Sequence, residues 1–169
     1  MSISRAINFN HFKAMKSRGW DKTYWFFDIH STILKPNYKE GDIPKEFYPL
    51  AKEVLQMISD RDDVCMMLYT CSHPHEIQEY LDFFNSNGIN FKYVNENPEV
   101  ANSQTSYGCY DSKPYMNVLF EDKAGFDPDK DWKKVRTVIE YNDLIKDNNL
   151  FKIIWNIKKV FLYLIINNN

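Results

Sequence analysis

The chain has 169 residues, 44% of them hydrophobic, which suits one domain with a substantial core. Its 21 basic and 23 acidic side chains leave a net charge of −2, so bulk charge does not encode nonspecific nucleic-acid binding. No run of about 18 apolar residues is present, which argues against a membrane span. The three cysteines Cys65, Cys71 and Cys109 lack paired spacing and point to reduced thiols in a cytoplasmic protein. Polar or charged residues are spread throughout residues 1–23, which have no apolar signal-peptide core and read as an N-terminal appendage holding a short basic helix over 10–19 with Phe12 and Met15.

The stretch from Tyr24 to Ile33 opens the body of the chain. An aromatic run, Tyr24-Trp25-Phe26-Phe27, stops at Asp28, and a polar turn with Ser31-Thr32 follows, as expected of a buried strand delivering a carboxylate to a sheet edge. After a loop over 31–41, Asp42 and Pro44 predict a helix start, with Phe47, Ala51, Val54, Leu55 and Ile58 on its covered face. Val64 to Thr70 is a second buried strand of the kind found in parallel sheets. Ser72 or His73 then caps a helix with Pro74 in its first turn, Ile77, Tyr80, Leu81 and Phe84 facing inward, and Gly88 as the stop.

Phe91–Val94 predicts a third strand, and the polar stretch 95–112 a functional loop. Asn117 to Asp122 predicts a fourth strand ending in acids, and Lys130–Leu144 a helix with Trp132, Val135, Val138 and Ile139 on one side. The alternation implies a three-layer, Rossmann-like α/β domain over 24–146 with a mainly parallel central sheet. Right-handed crossovers would bring Asp28, Thr70 and Asp122 to one edge. Residues 147–169 form an apolar tail, expected to pack on the domain or to mediate a homo-oligomer; Lys152, Lys158 and Lys159 argue against a membrane role.

The chemistry-bearing residues are Asp28, able to attack phosphorus or ligate a cation; Thr70, a hydroxyl donor; Lys113, a cation before the fourth strand; and the acid pair Glu121-Asp122, with Asp127 beyond it. Each has a bland alternative: a turn cap, a strand-end hydroxyl, a solvated lysine. In order and strand context, Asp28, Thr70, Lys113 and Glu121-Asp122, with the Asp28-Ile29-His30-Ser31-Thr32-Ile33 turn, resemble the four-motif signature of the haloacid-dehalogenase-like phosphohydrolase superfamily. The similarity covers about residues 24–140. It is closest to small cap-less phosphatase-like members, because only 41 residues lie between Asp28 and Thr70 and 42 between Thr70 and Lys113.

The resemblance implies a Mg²⁺-dependent hydrolase acting through an aspartyl-phosphate. Asp28 would be the nucleophile, and Asp28, the His30 carbonyl and Asp122 the metal ligands. Thr70 and Lys113 would bind phosphate, Glu121 or Asp127 would tune the metal, and Thr32 would support the turn. Expected partners are a phosphorylated small molecule, a nucleotide or a macromolecular end. The chain departs from the pattern at His30, where such phosphatases carry an acid/base aspartate. A histidine with a pKa near ~6.5 could do that work; alternatively the site is weakened, and the domain binds a phosphoryl ligand or a protein partner without turnover. An interaction protein driven by the tail is a third reading. Cys71, His73, His75 and Cys109 raise zinc as a competing constellation, but no C-x-x-C is present. Ile77 stands where a cysteine phosphatase needs arginine, and no glycine-rich phosphate loop occurs.

Overall fold

The structure is a computed structural model and describes residues 2–37, 41–100, 108–110 and 113–146. Four strands, β1 (Thr23–Phe27), β2 (Val64–Leu68), β3 (Tyr93–Val94) and β4 (Val118–Phe120), form one parallel sheet in the order β3-β2-β1-β4. β1 is central, running in register with β2 from Thr23–Val64 to Phe27–Leu68 and with β4 from Trp25–Val118 to Phe27–Phe120. The chain steps outward from β1 to β3 and then returns to the other side of β1. The connections therefore diverge between β1 and β4, and open sheets bind ligands in the crevice at such a point.

Burial on both faces explains why β1 and β2 are continuous apolar runs: Trp25, Phe26, Phe27, Met67 and Leu68 are fully buried. On one face Phe27 stacks on Phe120 at 4.3 Å, and Phe120 on Trp132 at 5.7 Å. On the other, Phe26, Cys65 and Met67 form a smaller cluster beneath Tyr24 and Tyr93.

The N-terminal helix begins earlier than residue 10. It comprises α1 (Ile3–Ile7), a π-helical stretch (Asn8–Lys13) and α2 (Ala14–Arg18). Buried Ile3 and Ile7 explain the extension, and His11 ties the helix to β1 through Nδ1, 2.7 Å from Thr23 Oγ1. Helix α3 (Ala51–Ser59) buries Ala51, Val54, Leu55 and Ile58 as the spacing predicts, but starts well after Asp42. Residues 42–50 are held otherwise: Lys35 N–H donates to the Glu46 carbonyl at 2.8 Å and Tyr48 N–H to Ile33 at 3.0 Å. These bonds splice the segment onto the turn after β1, and tertiary pairing overrides the local helix-start signal.

Helix α4 (Pro74–Ser86) begins where its signals place it, with the His73 N–H donating to Glu76 Oε2 at 2.8 Å, and buries Tyr80 and Phe84. Gly88 follows with φ of 71°, the left-handed conformation that glycine adopts without strain. β4 is shorter than expected at both ends. Asn117 pairs with Tyr24 partly through its side chain, whose Oδ1 accepts the Tyr24 N–H at 2.9 Å, and Glu121 leads into a 3₁₀ turn (Asp122–Ala124).

Chain contacts divide the protein into two units, Met1–Val135 and Arg136–Asn169. The first unit contains the N-terminal helix and the whole sheet, and closes with residues 131–135, the first part of helix α5 (131–146). In the second, residues 136–146 are helical, with Arg136 Nε donating to Glu140 Oε1 at 2.7 Å. The apolar tail over 147–169 lies outside the described residues, as do 101–107 and 111–112 of the expected loop. Among the described residues, no helix is long and apolar enough to cross a membrane.

Candidate functional site

Asp28 lies one residue beyond β1, and its N–H still donates to the Phe120 carbonyl at 2.9 Å, so the carboxylate leaves the sheet at the β1–β4 crevice. The backbone then folds back: the N–H groups of Ile33 and Leu34 both donate to the Ile29 carbonyl at 2.9 Å, and Ser31 takes a left-handed φ of 58°. This tight turn points Thr32 inward, where it is fully buried. Its hydroxyl donates to Asp28 Oδ2 at 3.2 Å and accepts the Asp122 N–H at 3.1 Å, while its carbonyl accepts Trp132 Nε1–H at 2.9 Å. One threonine thus joins the exits of β1 and β4 and the start of α5.

Asp28, Glu121 and Asp122 each present a carboxylate oxygen within 4.8 Å of the others. Burial pushes the Asp28 carboxyl above its ordinary range, with the nearby Asp122 charge adding to this and hydrogen bonds from Ile29 N–H and Thr32 opposing it. Burial, the hydrogen bond with Asp122 and the charge of Asp28 likewise raise Glu121. Burial acts upward on Asp122 too, but hydrogen bonds with Glu121 and Lys123 outweigh it and hold this carboxyl low. The Lys123 ammonium supplies compensating charge, 3.1 Å from Asp122 Oδ1 and 3.7 Å from Glu121 Oε1.

Thr70 stands two residues past β2 and is buried. Asn95 grips its backbone from both sides: Thr70 N–H donates to Asn95 Oδ1 at 2.8 Å, and Asn95 Nδ2 donates to the Thr70 carbonyl at 2.7 Å. The Thr70 hydroxyl is paired with Ser72 Oγ at 2.9 Å and accepts the Ser72 N–H at 3.1 Å. His30 Nε2 lies 2.7 Å from Tyr80 OH, the rings edge-to-face. Burial lowers the His30 pKa, against the opposing charge of Glu76, and raises the Tyr80 hydroxyl to about 12. The His30–Tyr80 bond is accordingly between two neutral groups at pH 7.

An open cleft of about 590 Å³ collects these groups: Asp28, His30, Asn95, Glu121 and Lys123 line it together with the Tyr69–His73 segment. Of the residues expected from the sequence, Asp28, His30, Thr70 and Glu121 share the cleft, and Asp122 joins through the acid cluster. Lys113 does not line it; it is exposed ahead of β4, and the lysine at the cleft is Lys123. Asp127 also stands apart: its Oδ2 accepts from Lys130 Nζ at 2.6 Å, and its N–H donates to Asp131 Oδ2 at 3.1 Å at the start of α5. Cys71 and His73 also line the cleft, and His73 and His75 stack at 5.6 Å. Among the described residues, however, only the three carboxylates group as metal ligands.

Three cleft features escaped the sequence reading: Asn95, Tyr80 as the partner of His30, and Lys123. Lys123 directly follows the acid pair, which is a usable signal. Asn95 and Tyr80 act through the fold and carry none.

No family model matches the chain, and no curated protein matches it. Among solved structures it is similar to a conserved protein from Bacteroides thetaiotaomicron, with a TM-score of 0.53 and 18% identity over 72% of this chain and 92% of that one. At that identity the likeness supports the α/β fold alone.

Proposed function

We propose that this protein is a Mg²⁺-dependent phosphohydrolase acting on a phosphomonoester, with Asp28 as the nucleophile that forms an aspartyl-phosphate. The observation that carries the reading is the placement of Asp28 at the crevice beside β4, pinned by Thr32, with oxygens of Glu121 and Asp122 within 4.8 Å. The motif order resembling the haloacid-dehalogenase-like superfamily supports it as well. Three carboxylates form a hard oxygen set of the kind Mg²⁺ takes alongside water and substrate oxygens, and two of the three carry raised pKa values that a cation would relieve. Asp28, Glu121 and Asp122 would hold the metal, which supplies charge neutralisation at the phosphoryl oxygens.

The chain's own groups then divide the work. An Asp28 carboxylate oxygen attacks phosphorus, the bond to the leaving oxygen breaks, and that oxygen takes a proton. Thr70 and Lys123 face the same cleft and would bind phosphoryl oxygens. His30 replaces the usual aspartate as the group that gives this proton and later takes one from the water that releases phosphate. Its lowered pKa favours the second role at pH 7 and makes protonation of the leaving group the harder step.

A second reading has its own support. His30 Nε2 is already engaged by Tyr80, so the domain would bind a phosphoryl ligand without turning it over. Phosphate release from p-nitrophenyl phosphate, with Mg²⁺ and with excess chelator, separates the two. The hydrolase reading expects Mg²⁺-dependent turnover that Asp28→Asn lowers by at least about 10³-fold. Turnover that survives Asp28→Asn overturns it; absence of turnover with Mg²⁺-dependent phosphate binding favours the second reading.

A further inference from the structure

The sheet edge opposite Asp28 carries a larger cavity, about 840 Å³, at the N-terminal ends of β1 and β4. Trp20, Tyr24, Tyr110 and Tyr115 wall it with Arg18 and Asn117, and Asp21, Lys22 and Val100 complete the lining, so one carboxylate stands among the cations. A neighbouring cleft of about 600 Å³ shares Arg18, Trp20, Tyr115 and Asn117 and adds Phe9 and Lys13, so the two adjoin as one groove along the N-terminal helix. Its aromatic wall is ordered. Tyr115 stands edge-on to Tyr24 at 6.2 Å and to Tyr110 at 5.4 Å, and Asn117 Nδ2 donates to the Tyr115 hydroxyl at 3.2 Å.

The helix beside the groove is basic. Arg5, Lys13, Lys16 and Arg18 are all exposed, and no aspartate or glutamate precedes Asp21. None of the four has a carboxylate partner among the described residues; three instead lie over ring faces, Arg5 and Lys13 on Phe9 and Arg18 on Trp20. Lys22, by contrast, is neutralised by Glu99 at 3.2 Å. In a chain of net charge −2 this concentrates positive charge on the N-terminal helix, of which Lys13 and Arg18 line the groove, an asymmetry that bulk composition conceals.

We propose that this groove binds single-stranded nucleic acid, with phosphates on the cations that have no carboxylate partner and bases against the rings. A chain of alternating anions and flat π-faces uses both features at once, as sequence-tolerant single-strand binders do. An acidic peptide would answer the charges and leave the rings idle. A bilayer surface cannot follow two concave clefts, and a duplex keeps its base faces stacked inside. This site is separate from the acid cluster and does not depend on the reading of that cluster.

The test is fluorescence anisotropy with labelled oligo-dT and oligo-U of about 12 nucleotides. The full chain is used in the Asp28→Asn form, without divalent cation, so that nothing is cleaved. Expected is saturable binding whose log–log salt dependence has a slope of about −2 to −3, for three or four phosphate contacts at about 0.7 each. The double reversal Lys13→Glu/Arg18→Glu alters exposed side chains only and should weaken binding at least about tenfold, with an unchanged thermal melt. Trp20→Ala should weaken it about tenfold through lost stacking. Comparing dT with U shows whether DNA, RNA or both are accepted. No saturable binding at about 50 mM salt, full binding by the double reversal, or preference for duplex or for phosphatidylserine vesicles overturns the proposal.

Discussion

Thr32 donates its hydroxyl to Asp28 Oδ2 at 3.2 Å while Thr32 Oγ1 itself accepts the backbone N–H of Asp122 at 3.1 Å, so a single buried group sets the spacing between the two carboxylates. Thr32→Val keeps the shape and removes the hydroxyl. It leaves a peptide N–H without its acceptor and Asp28 without a donor that favours its charge. We expect a loss of about 1–3 kcal/mol in denaturant melts and a fall of about 10–100-fold in Mg²⁺ affinity or turnover. Thr32→Ser, which keeps the oxygen, should restore most of both. An unchanged Mg²⁺ titration for the valine variant would show that Thr32 supports the turn alone.

On the proposed reading, the acid cluster would set stability against function. Asp28 and Glu121 both have raised pKa values in the fold, so the folded state holds their protons more tightly than the unfolded chain does. Their favourable contribution is complete below the ordinary carboxylate range and disappears as pH rises through the raised values. At neutral pH their ionisation is a cost. Asp28→Asn should therefore raise the Tm of the metal-free protein at pH 7 while abolishing turnover. Mg²⁺ should raise the wild-type Tm in the same way, by about 2.7 kcal/mol of stabilisation at one hundred times its Kd. A lower Tm for Asp28→Asn would contradict the electrostatic account.

The parts of the fold legible in the sequence were those whose cause is local. The runs through Phe27 and Leu68 announced buried parallel strands, and Pro74 with Glu76 announced α4. The acids after Phe120 announced the end of β4. The start of α3 departs from its local signal because the bonds Lys35 to Glu46 and Tyr48 to Ile33 hold residues 42–50 against the first turn, a long-range effect invisible to periodicity. The site divides in the same way. Asp28, Thr70 and Glu121-Asp122 stand where strand ends predicted them. Asn95 was missed because its grip on the Thr70 peptide depends on β3 lying beside β2.

His30 contributes stability of the opposite pH sense. Its pKa is lowered by burial, so its contribution is present above about 6.5 and is lost as pH falls through the lowered value. Replacing it with glutamine should flatten the stability profile in that acid window. Tyr80→Phe removes the hydroxyl 2.7 Å from Nε2 and should cost about 0.5–1.5 kcal/mol. If His30 moves the proton, Tyr80→Phe also displaces the acid limb of the pH–kcat profile, which a packing role would leave in place.

The two lysines give the sharpest comparison between motif and geometry. Lys113 occupies the position that the family resemblance assigns to phosphate binding, yet it does not line the cleft, whereas Lys123, itself well exposed, lines it with Nζ 3.1 Å from Asp122 Oδ1. Its pKa is raised first by that hydrogen bond and then by the charges of Asp122 and Glu121, so the ammonium is held charged where phosphoryl oxygens would gather. Lys123→Ala should lower kcat/KM by about 10²–10³-fold, the loss expected for a donor to transition-state charge. Lys113→Ala should stay within about twofold, because an exposed lysine outside the cleft contributes only screened, long-range attraction. Lys123→Arg keeps the charge and should recover part of the loss. Should Lys113→Ala prove the damaging change instead, the segment before β4 must close onto the cleft when substrate binds, and the motif would then have located the phosphate-binding cation better than the distances do.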